Sequence, residues 1–333
     1  MKIEKSQNNI NFKGIYNSRL VKRGLEFAAD NGALFAAGTS LALSTVARPI
    51  AILSTPNTDK ENKQYACVKS ISSSLTGYIL MLCASNPVSK AIKNISKKPT
   101  DFLKNSTIKN LQGHEEKLTK SSKYIFATQL FKLGLGLLIV IPKSIMINSL
   151  IPPIMKKLFP KQEDNTMPAM KTTDKISFKG AKHKPLSKGI GKLIDTECIQ
   201  KMSEKFHETN FAMHIMSLTD ILGTAAFIHC ANKNKEIKEE RKKTLIYNSA
   251  ISTGLSVSGG YILDRALKKP TEKFIEKFKA TNKNSVKLDK YVEGIKVAKP
   301  ILILGGTYYI IIPFISTFLA DRVGKPAQLA KKS

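Results

Sequence analysis

Apolar and polar positions alternate along this chain in long blocks, with membrane-length apolar segments separated by lysine-rich ones. An α-helix needs about 20 mainly apolar residues to cross the hydrocarbon core of a bilayer. Six segments reach that length with at most one charged residue each. They are residues 31–53, 70–90, 133–155, 209–232, 244–264 and 300–320. The pattern predicts an all-α fold, a polytopic helical protein that is integral to a membrane.

The six predicted spans differ in composition. Residues 300–320 and 133–155 are almost purely apolar, and the second of these is interrupted by Pro142 and Lys143. Residues 70–90 and 244–264 are instead rich in serine and threonine. Small and hydroxylated residues let membrane helices approach one another closely, which favours interior helices of a bundle, but the same composition is compatible with helices buried in a soluble protein.

The two halves of the chain share short strings in the same order. INFKG at 10–14 returns as ISFKG at 176–180, and KKPT at 97–100 returns at 268–271. A shift of 180 residues also aligns Ile71, Ser72, Ser73, Leu75 and Thr76 with Ile251, Ser252, Thr253, Leu255 and Ser256. The strings indicate a duplication, although chance matches in a lysine-rich sequence are the alternative. The predicted organisation is a three-helix repeat over 1–160, a polar basic linker over 161–205 and a second three-helix repeat over 206–333.

An odd number of crossings in each repeat predicts that the second repeat enters the membrane from the opposite side. Inverted repeats of this kind are common in secondary transporters, whose binding sites lie at the repeat interface. Lysine and arginine are almost evenly distributed between the two sets of loops, so the positive-inside rule does not fix an orientation.

The charge of the chain narrows the choice of partners. Its 54 Lys and Arg against 25 Asp and Glu leave a net charge of +29. Such a charge suits nucleic acid or an anionic membrane surface. Because the charges lie between the apolar segments, we expect the partners to be the lipid bilayer and its anionic lipids, and nucleic acid is not favoured. The sequence does not fix an oligomeric state.

Three charged residues inside predicted spans are the candidates for binding a substrate or an ion, because a charge at a helix centre costs about 2.5–3.5 kcal/mol on the insertion scale. Asp220 lies mid-segment and suits proton or cation handling, or pairing with a basic partner; an interfacial segment would also explain it. Arg48 precedes Pro49, so its side chain could instead reach the interface, and Lys143 follows a proline that could kink the helix. A second set of candidates contributes to close helix packing: Ser72, Ser73, Thr76, Ser252, Thr253, Ser256, Gly305 and Gly306.

No motif predicts catalysis. The four cysteines and five histidines lack the spacing of metal sites, so the sequence predicts no metal and no cofactor. Phosphate-binding loops and nucleophile motifs are also missing, and we expect no enzymatic activity. The favoured function is transport of a small solute or ion at the interface of the two repeats. The alternative is a non-catalytic membrane organiser or anionic-lipid-binding protein. A basic nucleic-acid-binding protein is a third interpretation, which leaves the apolar segments unexplained.

Overall fold

The structure, a computed structural model, describes residues 13–54, 60–158, 183–234, 239–313 and 315. All regular secondary structure in these residues is helical, which confirms the all-α prediction. The helices are α1 Lys13–Asn17, α2 Arg19–Asp30, α3 Gly32–Thr45, α4 Ala47–Leu53, α5 Lys60–Lys97, α6 Asn105–Gln112, α7 Ser122–Leu158, α8 His183–Ile194, α9 Glu197–Phe206, α10 Phe211–Lys233, α11 Glu239–Ala266, α12 Lys268–Thr281 and α13 Leu288–Gly306. Short 3₁₀ turns occupy Pro99–Asp101 and Leu118–Lys120, and a π-helical turn at Thr307–Ile311 extends α13.

Five helical segments in the described part of the chain are long and apolar enough to cross a membrane. They are Gly32–Leu53, Ala66–Lys97, Ser122–Leu150, Phe211–Lys233 and Leu288–Ile311. Each overlaps one predicted span. The predicted span 244–264 lies within α11, a 28-residue helix that is not among the five, because serine, threonine and glycine replace much of its apolar surface. Phe314 and residues 316–320 of the last predicted span lie outside the described residues.

The bundle carries apolar side chains outward. Leu138 on α7 is 75% exposed and Ile50 on α4 is 62% exposed. Other exposed apolar side chains on the long helices are Leu75, Ile79, Leu82, Ile141, Ile145, Leu218, Ile221, Leu222, Leu302 and Ile310. Several hydroxyl side chains, including Ser70 and Thr76, are buried. A helical bundle in lipid tolerates outward apolar side chains of this kind.

One end of the bundle is held by ion pairs. The Asp30 carboxylate lies 2.8 Å from the Lys290 ammonium and 3.2 Å from that of Lys93. Lys132 lies 3.8 Å from Glu293 and donates a hydrogen bond to the Ala29 carbonyl oxygen. These residues join the α2–α3 junction to the end of α5 and to the starts of α7 and α13. We call this the ion-pair end, and the opposite end, which holds Arg48, the arginine end.

Helices α7 and α10 run side by side in the same direction. Near the ion-pair end, the rings of Phe126 and Phe211 are 4.5 Å apart. Further along, a Cβ added to Gly136 would lie 3.1 Å from the Thr219 methyl group. Ile147 and Phe227 share one cluster still further along, and the Asn234 amide then donates to the Asn148 carbonyl oxygen. In both α7 and α10, residue numbers therefore increase from the ion-pair end to the arginine end.

Helices α3 and α13 are also parallel. A Cβ on Gly32 would lie 3.2 Å from Val297, and a Cβ on Gly305 would lie 3.1 Å from Leu43. At the arginine end Arg48 contacts Tyr308. The first and third long helices of both halves thus all begin at the ion-pair end.

These directions correct the prediction of inverted repeats. An inverted second half would make α10 antiparallel to α7 and α13 antiparallel to α3, and both pairs are parallel. The prediction assumed that the chain after α7 stays on the side where α7 ends. Instead α7 ends at the arginine end, and α8, the next described helix, packs at the ion-pair end.

Part of the predicted linker 161–205 is helical. Residues 183–205 form α8 and most of α9, and Ile190 and Ile194 of α8 are buried against Ile92 and Ile95 of α5. Spacing of four residues between these isoleucines places them on one helical face. The rest of the predicted linker, residues 161–182, lies outside the described residues.

Candidate functional site

A central cavity of about 290 Å³ lies between the long helices of both halves of the chain. Each helix presents one face to it, with lining residues three or four positions apart, as one face of a helix requires. From the first half these are Ala33, Ala36, Ala37 and Ser40 of α3, Lys69, Ser70, Ser73, Ser74 and Gly77 of α5, and Gly136, Ile139, Val140, Lys143 and Ser144 of α7. The second half adds Met216, Thr219, Asp220 and Gly223 of α10, Asn248, Ser249 and Thr253 of α11, and Ile301, Leu304, Tyr308 and Tyr309.

All three charged candidates from the sequence line this cavity. Arg48 comes from α4, Lys143 from α7 and Asp220 from α10. They are 77 or more residues apart in the chain and converge because each lies on the inner face of its helix.

Arg48 is buried at 7% exposure and pairs with aromatic rings. Its guanidinium carbon lies 4.5 Å from the ring centroid of Tyr308 and 5.8 Å from that of Tyr309. Cation–π contacts of this kind hold a guanidinium without neutralising it. The Nε atom is buried without a hydrogen-bond partner, and no carboxylate among the described residues pairs with this arginine. Arg48 therefore has no acidic partner among the described residues and has an unused donor inside the protein.

Lys69 is a fourth charged residue of the cavity. It immediately precedes the charge-free segment at 70–89, so a search for charges inside that segment misses it. Its ammonium group donates a hydrogen bond to the Ser249 hydroxyl and lies 3.7 Å from the centroid of the Phe227 ring. It is also close enough to Arg48 for electrostatic repulsion. Two basic side chains thus lie near each other without an acidic partner among the described residues.

Lys143 and Asp220 form the other charged pair. They are within electrostatic range of each other but make no salt bridge, and no hydrogen bond joins either side chain to a described residue. The aliphatic stem of Lys143 lies over Gly77, where an added Cβ would approach within 3.0 Å of the lysine. The cavity is therefore lined by three basic side chains and one acidic side chain.

The residues predicted to pack helices lie in and beside this cavity. Ser72, Thr76, Ser252, Thr253, Ser256 and Gly305 are buried, whereas Ser73 and Gly306 are half-buried. Thr253 hydrogen-bonds with Thr224 of α10 at 2.5 Å, and Ser252 donates to Asn248 at 3.2 Å. Gly305 lets α13 approach Leu43, while a Cβ on Gly306 would meet nothing within 4 Å. Ser73 and Thr253 are also cavity-lining residues.

The cavity differs in polarity along its length. Toward the arginine end it is lined by charged, hydroxyl and amide side chains. Toward the ion-pair end its walls are mainly apolar, with Ala33, Met81, Leu133, Met216 and Ile301. The charged cluster is therefore adjacent to an apolar compartment in the same space.

No group of histidine, cysteine, aspartate and glutamate able to hold a metal occurs among the described residues. Comparison with protein-family models, with curated proteins and with solved structures gives no match to this chain.

Proposed function

We propose that this chain is a membrane protein that admits a small solute into its central cavity and carries it between the two ends of the bundle. The observation that supports this function is the polarity of the bundle. Apolar side chains face outward while four charged side chains, drawn from both halves, face one internal space. Charges inside membrane helices are costly and mark solute or ion pathways.

The contacts between helices also support a duplicated architecture with parallel halves. In the first half α5 packs against α3 and α7, and in the second half α11 packs against α10 and α13. Between the halves α3 meets α13 just as α10 meets α7. Lys69 and Ser249, which the 180-residue shift aligns with each other, are hydrogen-bonded. If a two-fold axis parallel to the helices relates the two halves, equivalent residues are expected to contact each other close to that axis.

Uptake by the purified protein in liposomes tests the proposed function. Anionic, cationic and neutral small solutes are offered separately, and we expect at least one class to enter faster than in protein-free liposomes. Ser73→Phe fills the cavity from α5 and should reduce uptake to the protein-free rate. Ser258→Phe, the same change at an exposed position of α11, should leave uptake unchanged. Equal uptake by the two variants would contradict a pathway through the cavity.

A second candidate function is binding of anionic lipid headgroups by α12. Lys268, Lys269, Lys273, Lys277 and Lys279 are all exposed on this one helix. Basic residues near an anionic membrane surface contribute roughly 1 kcal/mol each. This function needs no solute in the cavity. If no solute enters in the uptake experiment and the protein still binds anionic vesicles through these lysines, the second function replaces the first.

A further inference from the structure

We infer that the solute is an amphiphilic anion, a carboxylate with an apolar tail, whose head is held by Arg48 and Lys69. This inference names the substrate class of the proposed cavity and so rests on the proposed function. Three independent features of the cavity support it: the unbalanced charge, the free donors around that charge and the apolar compartment beside it.

The balance of charged side chains in the cavity favours binding of an anion. The single carboxylate, Asp220, lies within range of Lys143, which leaves Arg48 and Lys69 without a counter-ion among the described residues. Inside the protein a positive charge on either side chain costs desolvation energy, and it disfavours a positive charge on the other side chain. A bound anion between them would remove both penalties.

Polar groups next to the two cations offer the donors that such an anion needs. Arg48 Nε is a buried donor without a partner, and the Ser70 hydroxyl is also buried and unpartnered at 7% exposure. The hydroxyl pair of Ser74 and Tyr309, 3.4 Å apart, also lies close by. Guanidinium and hydroxyl donors bind a carboxylate with strong charge-assisted hydrogen bonds.

The tail is inferred from the far half of the cavity. Along α5 the wall runs from Lys69 to Met81, which corresponds to about 18 Å of helix. Near Met81 the walls are Ala33, Leu133, Met216 and Ile301, none of which can hydrogen-bond a polar solute through its side chain. A small inorganic anion would leave this apolar space unfilled. The volume of about 290 Å³ is at the lower end of ligand pockets, so we expect a tail of medium length.

The test measures binding of radiolabelled decanoate to the detergent-purified protein, with protein-free micelles as the blank. Acetate supplies the head alone, decanol the tail alone, and decyltrimethylammonium the opposite charge. We expect decanoate to bind and the three other probes to bind about tenfold or more weakly. Acetate or the cation binding as tightly as decanoate would overturn the inference. A match by decanol would also do so.

Variants of the cavity residues test which side chains bind the carboxylate head. Arg48→Gln and Lys69→Gln should each weaken decanoate binding by about tenfold or more, while Arg48→Lys retains part of the affinity because the charge is kept. Lys268→Gln on exposed α12 removes the same charge outside the cavity and should change nothing. Unchanged binding in both cavity variants would overturn the inference, as would equal losses in Lys268→Gln.

The two proposals fail in distinguishable ways. If Ser73→Phe blocks uptake of some solute while decanoate does not bind, the cavity is a solute pathway and only the substrate class is wrong. If decanoate binds and Ser73→Phe abolishes its binding, but no solute is taken up, the site is a binding site for an amphiphile and the transport proposal fails.

Discussion

Single charged residues have two different environments in this bundle, and the contrast separates stabilising charges from candidate binding charges. Lys93 and Lys290 both pair with Asp30 at the ion-pair end, whereas Arg48 and Lys69 have rings and a hydroxyl group as neighbours. Burial by itself would raise the pKa of the Asp30 carboxyl. The hydrogen bonds and charges of Lys290 and Lys93 outweigh burial and lower this pKa below its ordinary value.

Asp30→Asn is therefore expected to destabilise the protein in a pH-dependent way. A carboxyl whose pKa is lower in the folded state stabilises the fold above its unfolded pKa of about 3.9 and loses this contribution as the pH falls through the folded pKa. At pH 7 the variant should lose about 1–2 kcal/mol, seen as a lower melting temperature in detergent. The difference from wild type should shrink below about pH 4.

Asp101→Asn is the matched control for this measurement. Asp101 is exposed and has no ion pair among the described residues, so its substitution should leave the melting temperature unchanged at both pH values. An Asp30→Asn effect that is the same at pH 7 and at pH 3.5 would show that the carboxylate charge is not what stabilises this end.

At the scale of the helices, the sequence predicts positions better than it predicts lengths. Gaps in the charge pattern locate the spans, but α5 begins ten residues before the predicted span and ends seven residues after it. The reason is that backbone hydrogen bonding continues through lysines that lie outside an apolar core. The same gap rule missed Lys69, which faces the cavity from this extended part of α5. It also treated 183–205 as a connector, because the buried positions of α8 are few and separated by lysines and glycines.

The outward apolar faces of these helices lead to a test of membrane integration. The protein should resist alkaline extraction of membranes and dissolve in detergent. Leu138→Lys places a charge on the 75% exposed outer face of α7, where insertion costs about 2.5–3.5 kcal/mol, and should reduce the membrane-integrated fraction. Val286→Lys, between α12 and α13 at a fully exposed position outside the spans, should have no such effect. Release of the unmodified protein by alkali would contradict integration.

At the scale of the whole molecule, the apolar pattern cannot determine helix direction, because a span has the same hydrophobicity whichever way it runs. The prediction of inverted repeats came only from the odd number of membrane crossings in each repeat. The described helices show instead that α7 ends at the arginine end while α8 lies at the ion-pair end, so both halves begin at the same end of the bundle. The meeting of distant residues at the cavity likewise depends on packing that the sequence does not specify.

Cysteine labelling from one side of the membrane tests the parallel arrangement without knowledge of any substrate. In a variant lacking Cys67, Cys83, Cys198 and Cys230, single cysteines replace Glu115, Val286, Ser54 and Lys233, all of which are exposed. Glu115 and Val286 lie in the connections before α7 and α13 at the ion-pair end, and Ser54 and Lys233 end α4 and α10 at the arginine end. We expect Glu115→Cys and Val286→Cys to react from one side and the other two from the opposite side. Inverted repeats require a different result, because Glu115 and Val286 would then face opposite sides, as would Ser54 and Lys233. Labelling in that second pattern would overturn the parallel directions of α7 with α10 and of α3 with α13.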